Sequence, residues 1–586
     1  IERFVLRPYQ NECIERYIEF YKNINDKEVE FYNIDINDDS CSETINDSGS
    51  ETIDIVPSDE ESDSSNHDDS SESNSIETNI NSAIIQLACG SGKTLILYHI
   101  AINTCQINNR DTVVILCVPS LQLLSQIFMN WMLYHYYDNT IDIESMIVGS
   151  SIDITVSADN SGLDCTTDID VMIDRLNSFK FAEKSSTRKR LIVLFTTYQS
   201  SSILKSAIET VNIPIDLVIF DEAHHMTGKL SKLNCLISSI SNGENKDVSV
   251  SNTCLESKQI YKDKDTTRRI YSTATPKHLY GTYDSKNPVR FPDEPEISFV
   301  NKNGHRIYSM NDSSIFGDTI YTFNIREAID IGALCGYDIL SFVETIPRLD
   351  SYIESKRLMV TKDFDTDNKG IGLSVEYTAH EYMAAILLIT EICKNREGCR
   401  DKDSSEDNTT GTLNNGIRRV FTYHSSIKDS KDFLKLLNHV KSILYPDVHV
   451  YIDSIDGNTS MNRRRRILDA FKSNERSILC SCRVLGEGVD INECDSVMFV
   501  GHKNSTVDIV QCFGRCLRQY KRAIDDSLNG SNENGVKKRA TIIIPTILEK
   551  EETCYDNIRR IINTISKHDE EIVAYFKERK EGRSGN

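Results

Sequence analysis

Three short strings in this chain combine residue types that handle phosphate. In Leu87-Ala-Cys-Gly-Ser-Gly-Lys-Thr94, Gly90, Ser91 and Gly92 let backbone N–H groups approach an anion, and a helix opening at Lys93 would add its dipole. Lys93 would reach β- and γ-phosphates, and the Thr94 hydroxyl would ligate Mg²⁺. Asp221-Glu-Ala-His224 sets two carboxylates side by side: Asp221 suits Mg²⁺, and Glu222 suits polarising an attacking water. In Gln511-Cys-Phe-Gly-Arg-Cys-Leu-Arg518, a helix over 507–520 would place Gln511, Gly514, Arg515 and Arg518 on one face. Two guanidiniums there can neutralise charge developing on a γ-phosphate. The chemistry predicted is hydrolysis of ATP with Mg²⁺, at a site built from distant parts of the chain.

Each string also has a plainer reading. The first could be a glycine-rich turn, the second an acidic turn, the third a solvated basic helix face. Their co-occurrence favours the phosphate chemistry. So does Arg483-Val-Leu-Gly-Glu-Gly-Val-Asp490, where glycines between a strand and a polar loop suggest close backbone approach to a ligand. Gly488 and Asp490 therefore join the nucleotide-binding candidates.

The elements that must position these residues read as alternating strands and helices. Apolar runs at 83–87, 113–118, 191–195 and 217–220 are nearly continuous, the pattern of parallel strands covered on both faces. A second set lies at 419–423, 449–452, 477–480, 496–500 and 540–544. Two consecutive α/β units follow. The run before Asp221 delivers both carboxylates to a strand's carboxyl end, where open parallel sheets bind ligands.

The formal charge of -23 is concentrated rather than spread. Residues 26–77 hold 18 acidic and one basic residue, a net of -17, leaving -6 for the remainder. A groove needs only local positive charge, so global acidity does not exclude a nucleic-acid partner. The segment from about 33 to 81 is rich in Ser, Asp, Glu and Asn and reads as a disordered insertion. A basic protein partner is one reading of it, a passive solvated insertion another. Weaker polar insertions are expected near 150–190, 242–264, 398–415 and 523–538. No apolar run approaches the length of a bilayer span, and 17 cysteines without repeating zinc spacing suit a reducing, intracellular compartment.

Taken in order, these strings resemble the motifs of superfamily 2 helicases. Leu6-Arg-Pro-Tyr-Gln10 is similar to that superfamily's adenine-reading element; Val118-Pro-Ser-Leu121, Thr196-Thr-Tyr-Gln199, Ser272-Thr-Ala-Thr-Pro276 and Tyr423-His-Ser-Ser426 stand where its motifs Ia, Ib, III and IV fall. The acidic motif, Val484-Leu-Gly-Glu-Gly-Val-Asp490 and Phe323-Asn-Ile-Arg-Glu-Ala-Ile-Asp330 look most like the DEAH-type branch of the type I and III restriction motors. The resemblance implies two tandem RecA-like domains, parallel sheets covered by helices, over 1–325 and 326–547, with a helical tail over 548–586. It further implies adenine recognition by Arg7 and Gln10, and backbone contacts to nucleic acid, DNA favoured over RNA, from Ser120, Thr197, Tyr198 and Ser425. Thr273, Thr275 and His224 would couple the two tasks. Two departures stand out: leucine occupies position 87, where the phosphate loop usually has glycine, and Gln10 and Lys93 stand 83 positions apart. No nuclease or methyltransferase motif accompanies the set. Strand separation, duplex translocation, an RNA helicase and a non-catalytic sensor on the same fold are the competing readings.

Overall fold

The computed structural model describes residues 5–36, 80–138, 140–150, 165–181, 189–229, 267–277, 307–362, 375–393, 417–482, 493–501, 506–519, 539–548, 555–566 and 569. Most of the acidic insertion, the polar spans 242–264, 398–415 and 523–538, and the string Arg483–Asp490 with Gly488 and Asp490 lie outside them.

Strands β1 (Ser82–Leu87), β2 (Thr112–Val118), β3 (Asp142–Val148), β4 (Cys165–Thr166), β5 (Arg190–Thr197) and β6 (Leu217–Asp221) come first. After them come β7 (Gly228–Lys229), β8 (Arg268–Thr273), β9 (Ile307–Tyr308) and β10 (Asp318–Phe323). Eight of these form one parallel sheet in the order β10-β1-β8-β6-β2-β5-β3-β4, while β7 and β9 pair antiparallel. The second half supplies β11 (Gly336–Thr345), β12 (Thr361–Lys362), β13 (Val375–Glu376), β14 (Arg419–Tyr423), β15 (Tyr451–Ile455), β16 (Ser477–Ser481), β17 (Ser496–Phe499) and β18 (Arg539–Leu548). Six build a parallel sheet, β11-β18-β17-β14-β16-β15, and β12 and β13 form a small antiparallel pair. This is the tandem RecA-like architecture, and the buried runs explain it: β2 and β6 are buried along their whole length, which requires helices on both faces.

The cores follow the sheets. One cluster covers a face of the first sheet with Ile192, Leu204 and Phe220, and another a face of the second with Leu388, Val420 and Phe433. A third includes Ile85, Trp131, Phe421 and Phe513, with Ala333, Leu334 and Cys335 of the connection among its members. The two sheets thus share one continuous apolar region.

Three expectations need correction. The span 150–190 is not only a polar insertion: the helix Ile169–Phe181 lies in it and buries Met172, Leu176 and Phe179, an i, i+4, i+7 stripe. The helix expected to carry Gln511–Arg518, the string in the place of the superfamily's motif VI, runs Thr506–Cys516 and stops short of Arg518. Its end is captured by the connection, for the Cys335 N–H donates to the Leu517 carbonyl at 2.9 Å and Leu334 bridges antiparallel to Arg518. The expected strand 449–452 begins at Tyr451, where its N–H first finds the Arg476 carbonyl at 2.9 Å.

Candidate active site

The phosphate loop leaves β1 at Leu87 and turns through Gly90 (φ +86°) and Gly92 (φ +87°) into the helix Lys93–Asn108. Both glycines need the left-handed region, which is costly for any residue with a Cβ. Space closes in as well: a Cβ at 92 would lie 2.6 Å from Gln10 Nε2, and one at 90 would lie 3.1 Å from Arg518 Cγ. The loop is therefore touched from the N-terminal helix on one side and from motif VI on the other.

Lys93 Nζ donates to Glu222 Oε1 at 2.7 Å, and both side chains are nearly enclosed. Burial works against the ammonium, but the Glu222 and Asp221 carboxylates outweigh it and hold Lys93 above the ordinary lysine range. Burial pushes the Asp221 carboxyl up to about 6, with Lys93 pulling the other way. The Asp221 carboxylate accepts the Glu222 N–H at 3.0 Å, and Glu222 itself sits at φ +50°, a strained position for a non-glycine residue that recurs at working sites. Asp221 is 3% exposed. A carboxylate so deeply buried at a strand end, beside a cationic loop, fits a divalent cation with Thr94 as second ligand. His224 Nδ1 lies 3.1 Å from Thr273 Oγ1 and 3.5 Å from Glu222 Oε2, while the Thr275 N–H donates to Thr273 Oγ1 at 3.1 Å. The acidic motif and motif III are one hydrogen-bonded unit.

The N-terminal element reaches the loop despite its distance in sequence. The Arg7 N–H donates to Gln10 Oε1 at 2.9 Å, and Gln10 Nε2 donates to the Ser91 carbonyl at 3.2 Å. Tyr9, inside the string Leu6–Gln10 but not among the candidates drawn from it, donates its hydroxyl to the same carbonyl at 2.5 Å and stacks on Phe323 at 4.1 Å. The chain's single tryptophan also escapes the motifs: Trp131 Nε1 donates to the Thr94 carbonyl at 3.2 Å. Its rarity is the only sequence signal.

Motif VI arrives against the loop through Gly514, where a Cβ would stand 2.4 Å from Cys89 Cβ. Burial pushes the Cys89 thiol up, and the charges of Lys93, Glu222, Arg515 and Arg518 all act on it. Cations of the second sheet and the acid–lysine pair of the first therefore surround one side chain. Gln511 is buried on the same helix.

The four candidate nucleic-acid residues divide. Ser120 Oγ accepts the Leu123 N–H at 3.3 Å, opening the helix Leu121–Asp138, and Thr197 Oγ1 pairs with Ser200 Oγ at 3.2 Å. Ser425 is exposed beyond β14. Tyr198 is different: it is 2% exposed, stacks on Phe220 at 6.3 Å and donates to the Asp221 carbonyl at 2.6 Å. Its place is under the acid pair, because its ring completes that apolar stack. Across the seam, Arg464 of the helix Met461–Ser473 donates to the Gln122 side chain.

Residues 3–278 match the family described as type III restriction enzyme, res subunit, and residues 409–519 match the helicase conserved C-terminal domain. A probable helicase of African swine fever virus is 23% identical over 483 residues, covering 82% of this chain and 40% of the relative. An ATP-dependent RNA helicase, DBP2, of Encephalitozoon cuniculi is 28% identical over 169 residues, 28% of this chain and 31% of its own. Among solved structures, an ATP-dependent type ISP restriction-modification enzyme, LlaBIII, bound to DNA superposes with a TM-score of 0.61 at 20% identity, over 97% of this chain and 30% of that one. The matched region thus covers well under half the length of each of these proteins.

Proposed function

We propose, from the premise that this chain belongs to the superfamily 2 helicases and is related to the type I and III restriction motors, that it is an ATP-driven nucleic-acid motor. Two engine lobes, 1–325 and 326–547, would close around one nucleotide, with 548–586 as a tail behind the second.

In this reading the loop N–H groups of Gly90, Ser91 and Gly92 cradle the phosphates, and Arg7 and Gln10 hold the adenine end. A phosphate in the cradle competes with Glu222 for Lys93; the ammonium turns to the γ-phosphate and the released carboxylate orients water. Asp221 and Thr94 would hold Mg²⁺, which neutralises phosphate charge when bound. Arg515 and Arg518 meet the charge that develops on the γ-phosphate, and Gln511 supports them. His224, Thr273 and Thr275 transmit the state of Glu222 to the nucleic-acid face, where Ser120, Thr197 and Ser425 bear on the backbone. Phosphate contacts of that kind position the protein without reading sequence.

The observation that carries the reading is the seam itself, with Gly514 packed on Cys89 and Arg518 beside Gly90. We infer DNA as the polymer because of the restriction-motor branch. ATP turnover measured with single-stranded DNA, duplex DNA, single-stranded RNA and duplex RNA as separate activators tests it. Stimulation by DNA is expected; equal turnover under all four conditions and without polymer would overturn the motor reading.

A further inference from the structure

We propose that Asp569 is a positioning residue for Arg515 and Arg518, acting through Tyr337 and Phe513; the inference rests on the reading of those arginines as the trigger of hydrolysis. Asp569 stands 54 positions beyond Arg515, and no motif points to it. It is 2% exposed. A carboxylate so deeply buried persists only where partners compensate its desolvation, and here they come from β11, at Tyr337, and from the connection between the sheets, at Arg326. The Tyr337 hydroxyl donates to Asp569 Oδ2 at 2.7 Å. Asp569 also acts on the guanidinium of Arg326, in the short helix Ile325–Asp330 that opens the connection, where Arg326 pairs with Asp330 at 2.5 Å.

From Tyr337 the path to the arginines is short. The Tyr337 ring meets the Phe513 ring edge-on, centroids 4.9 Å apart at 81°. Phe513 is fully buried and precedes Gly514, the residue that touches Cys89 of the phosphate loop. The helix Tyr555–Ser566 packs against the motif-VI helix, its Ile561 and Ile565 sharing a core with Ile509 and Phe513. Beyond Arg515, the Gln519 side chain donates to the Gly332 carbonyl at 2.7 Å, so the connection holds motif VI at its C-terminal end while β11 meets it at Phe513. Tyr337 cannot turn away from Phe513 while Asp569 holds its hydroxyl. The tail therefore fixes where the guanidiniums point relative to the nucleotide, a placement to which rate is steeply sensitive.

The test compares polymer-stimulated ATPase of the full chain as wild type, Asp569→Ala, Asp569→Asn, Tyr337→Phe, Arg518→Ala and the double variant Asp569→Ala/Arg518→Ala. Asp569→Ala is expected to lower kcat about tenfold with KM for ATP within about twofold, because ground-state binding rests on the first lobe. Asp569→Asn keeps an acceptor for Tyr337 and should recover most of the loss. In the Arg518→Ala background, Asp569→Ala should cost about twofold or less, since part of the group it positions is gone. A wild-type kcat for Asp569→Ala, or a full tenfold further loss in the double variant, would overturn the inference. Should Asp569→Ala fail to fold, Tyr337→Phe carries the test, because it keeps the ring on Phe513: a reduced kcat supports the brace and an unchanged one ends it. A normally active Arg518→Ala would instead refute the trigger reading, and the brace with it.

Discussion

Gly514 of the motif-VI helix and Cys89 of the phosphate loop meet so closely that no side-chain carbon fits between them. A Cβ at 514 would stand 2.4 Å from Cys89 Cβ. Gly514→Ala should therefore hold the lobes apart while leaving each intact. Stimulated kcat is expected to fall by about 10²-fold, with thermal stability little changed. A kcat within twofold of wild type would show that the contact does not govern closure.

The Lys93–Glu222 pair gives opposite signatures for its two members. Lys93→Ala removes phosphate affinity, so nucleotide binding itself should be lost. Glu222→Gln keeps Lys93 free for phosphate and removes the group that orients water, so ATP should bind at least as well and persist unhydrolysed. Equilibrium binding and single-turnover hydrolysis on the same samples separate the two. Identical behaviour of both variants would contradict the division of roles.

Trp131 offers a direct view of the loop. It is the chain's single tryptophan, packed edge-on against Tyr98 at 5.7 Å and Phe195 at 5.5 Å, and tied to the Thr94 carbonyl. Nucleotide binding should change its emission in wild type and not in Lys93→Ala. Trp131→Phe should cost about 1 kcal/mol for the lost hydrogen bond, read by denaturant titration. Emission indifferent to saturating nucleotide would place the binding site elsewhere.

Asp221 links stability to pH. Its folded carboxyl is raised to about 6 from 3.8, so protonation favours the fold: the benefit is full below about pH 4 and is lost as pH rises through 6. With chelator present, Asp221→Asn should stabilise the protein above pH 6, on the order of 1–3 kcal/mol, and make little difference below pH 4. A Tm difference of the opposite sign at pH 8 would refute the burial argument.

How much of this is legible in the sequence depends on where the deciding force lies. The phosphate loop, the acid pair and motif VI are set by local chemistry: glycine where φ is positive at Gly90 and Gly92, charge at Lys93, Asp221 and Arg515. Continuous apolar runs such as Val113–Val118 admit little but a buried parallel strand. The end of the motif-VI helix at Cys516 carries no local stop signal, because Leu334 and Cys335 impose it from elsewhere, Cys335 lying 181 positions away. Tyr198 reads as a surface residue among threonines, yet its ring faces Phe220. The helix Ile169–Phe181 is hidden by the polar composition around its three buried anchors.

On the proposed reading, an arginine of one lobe triggers hydrolysis of a nucleotide held by the other. Single-turnover hydrolysis by Arg518→Ala, with ATP binding confirmed by Trp131 emission and polymer present, tests it most directly. Binding within about threefold of wild type and a chemical step slower by about 10³-fold or more are expected. A chemical step at the wild-type rate would contradict it.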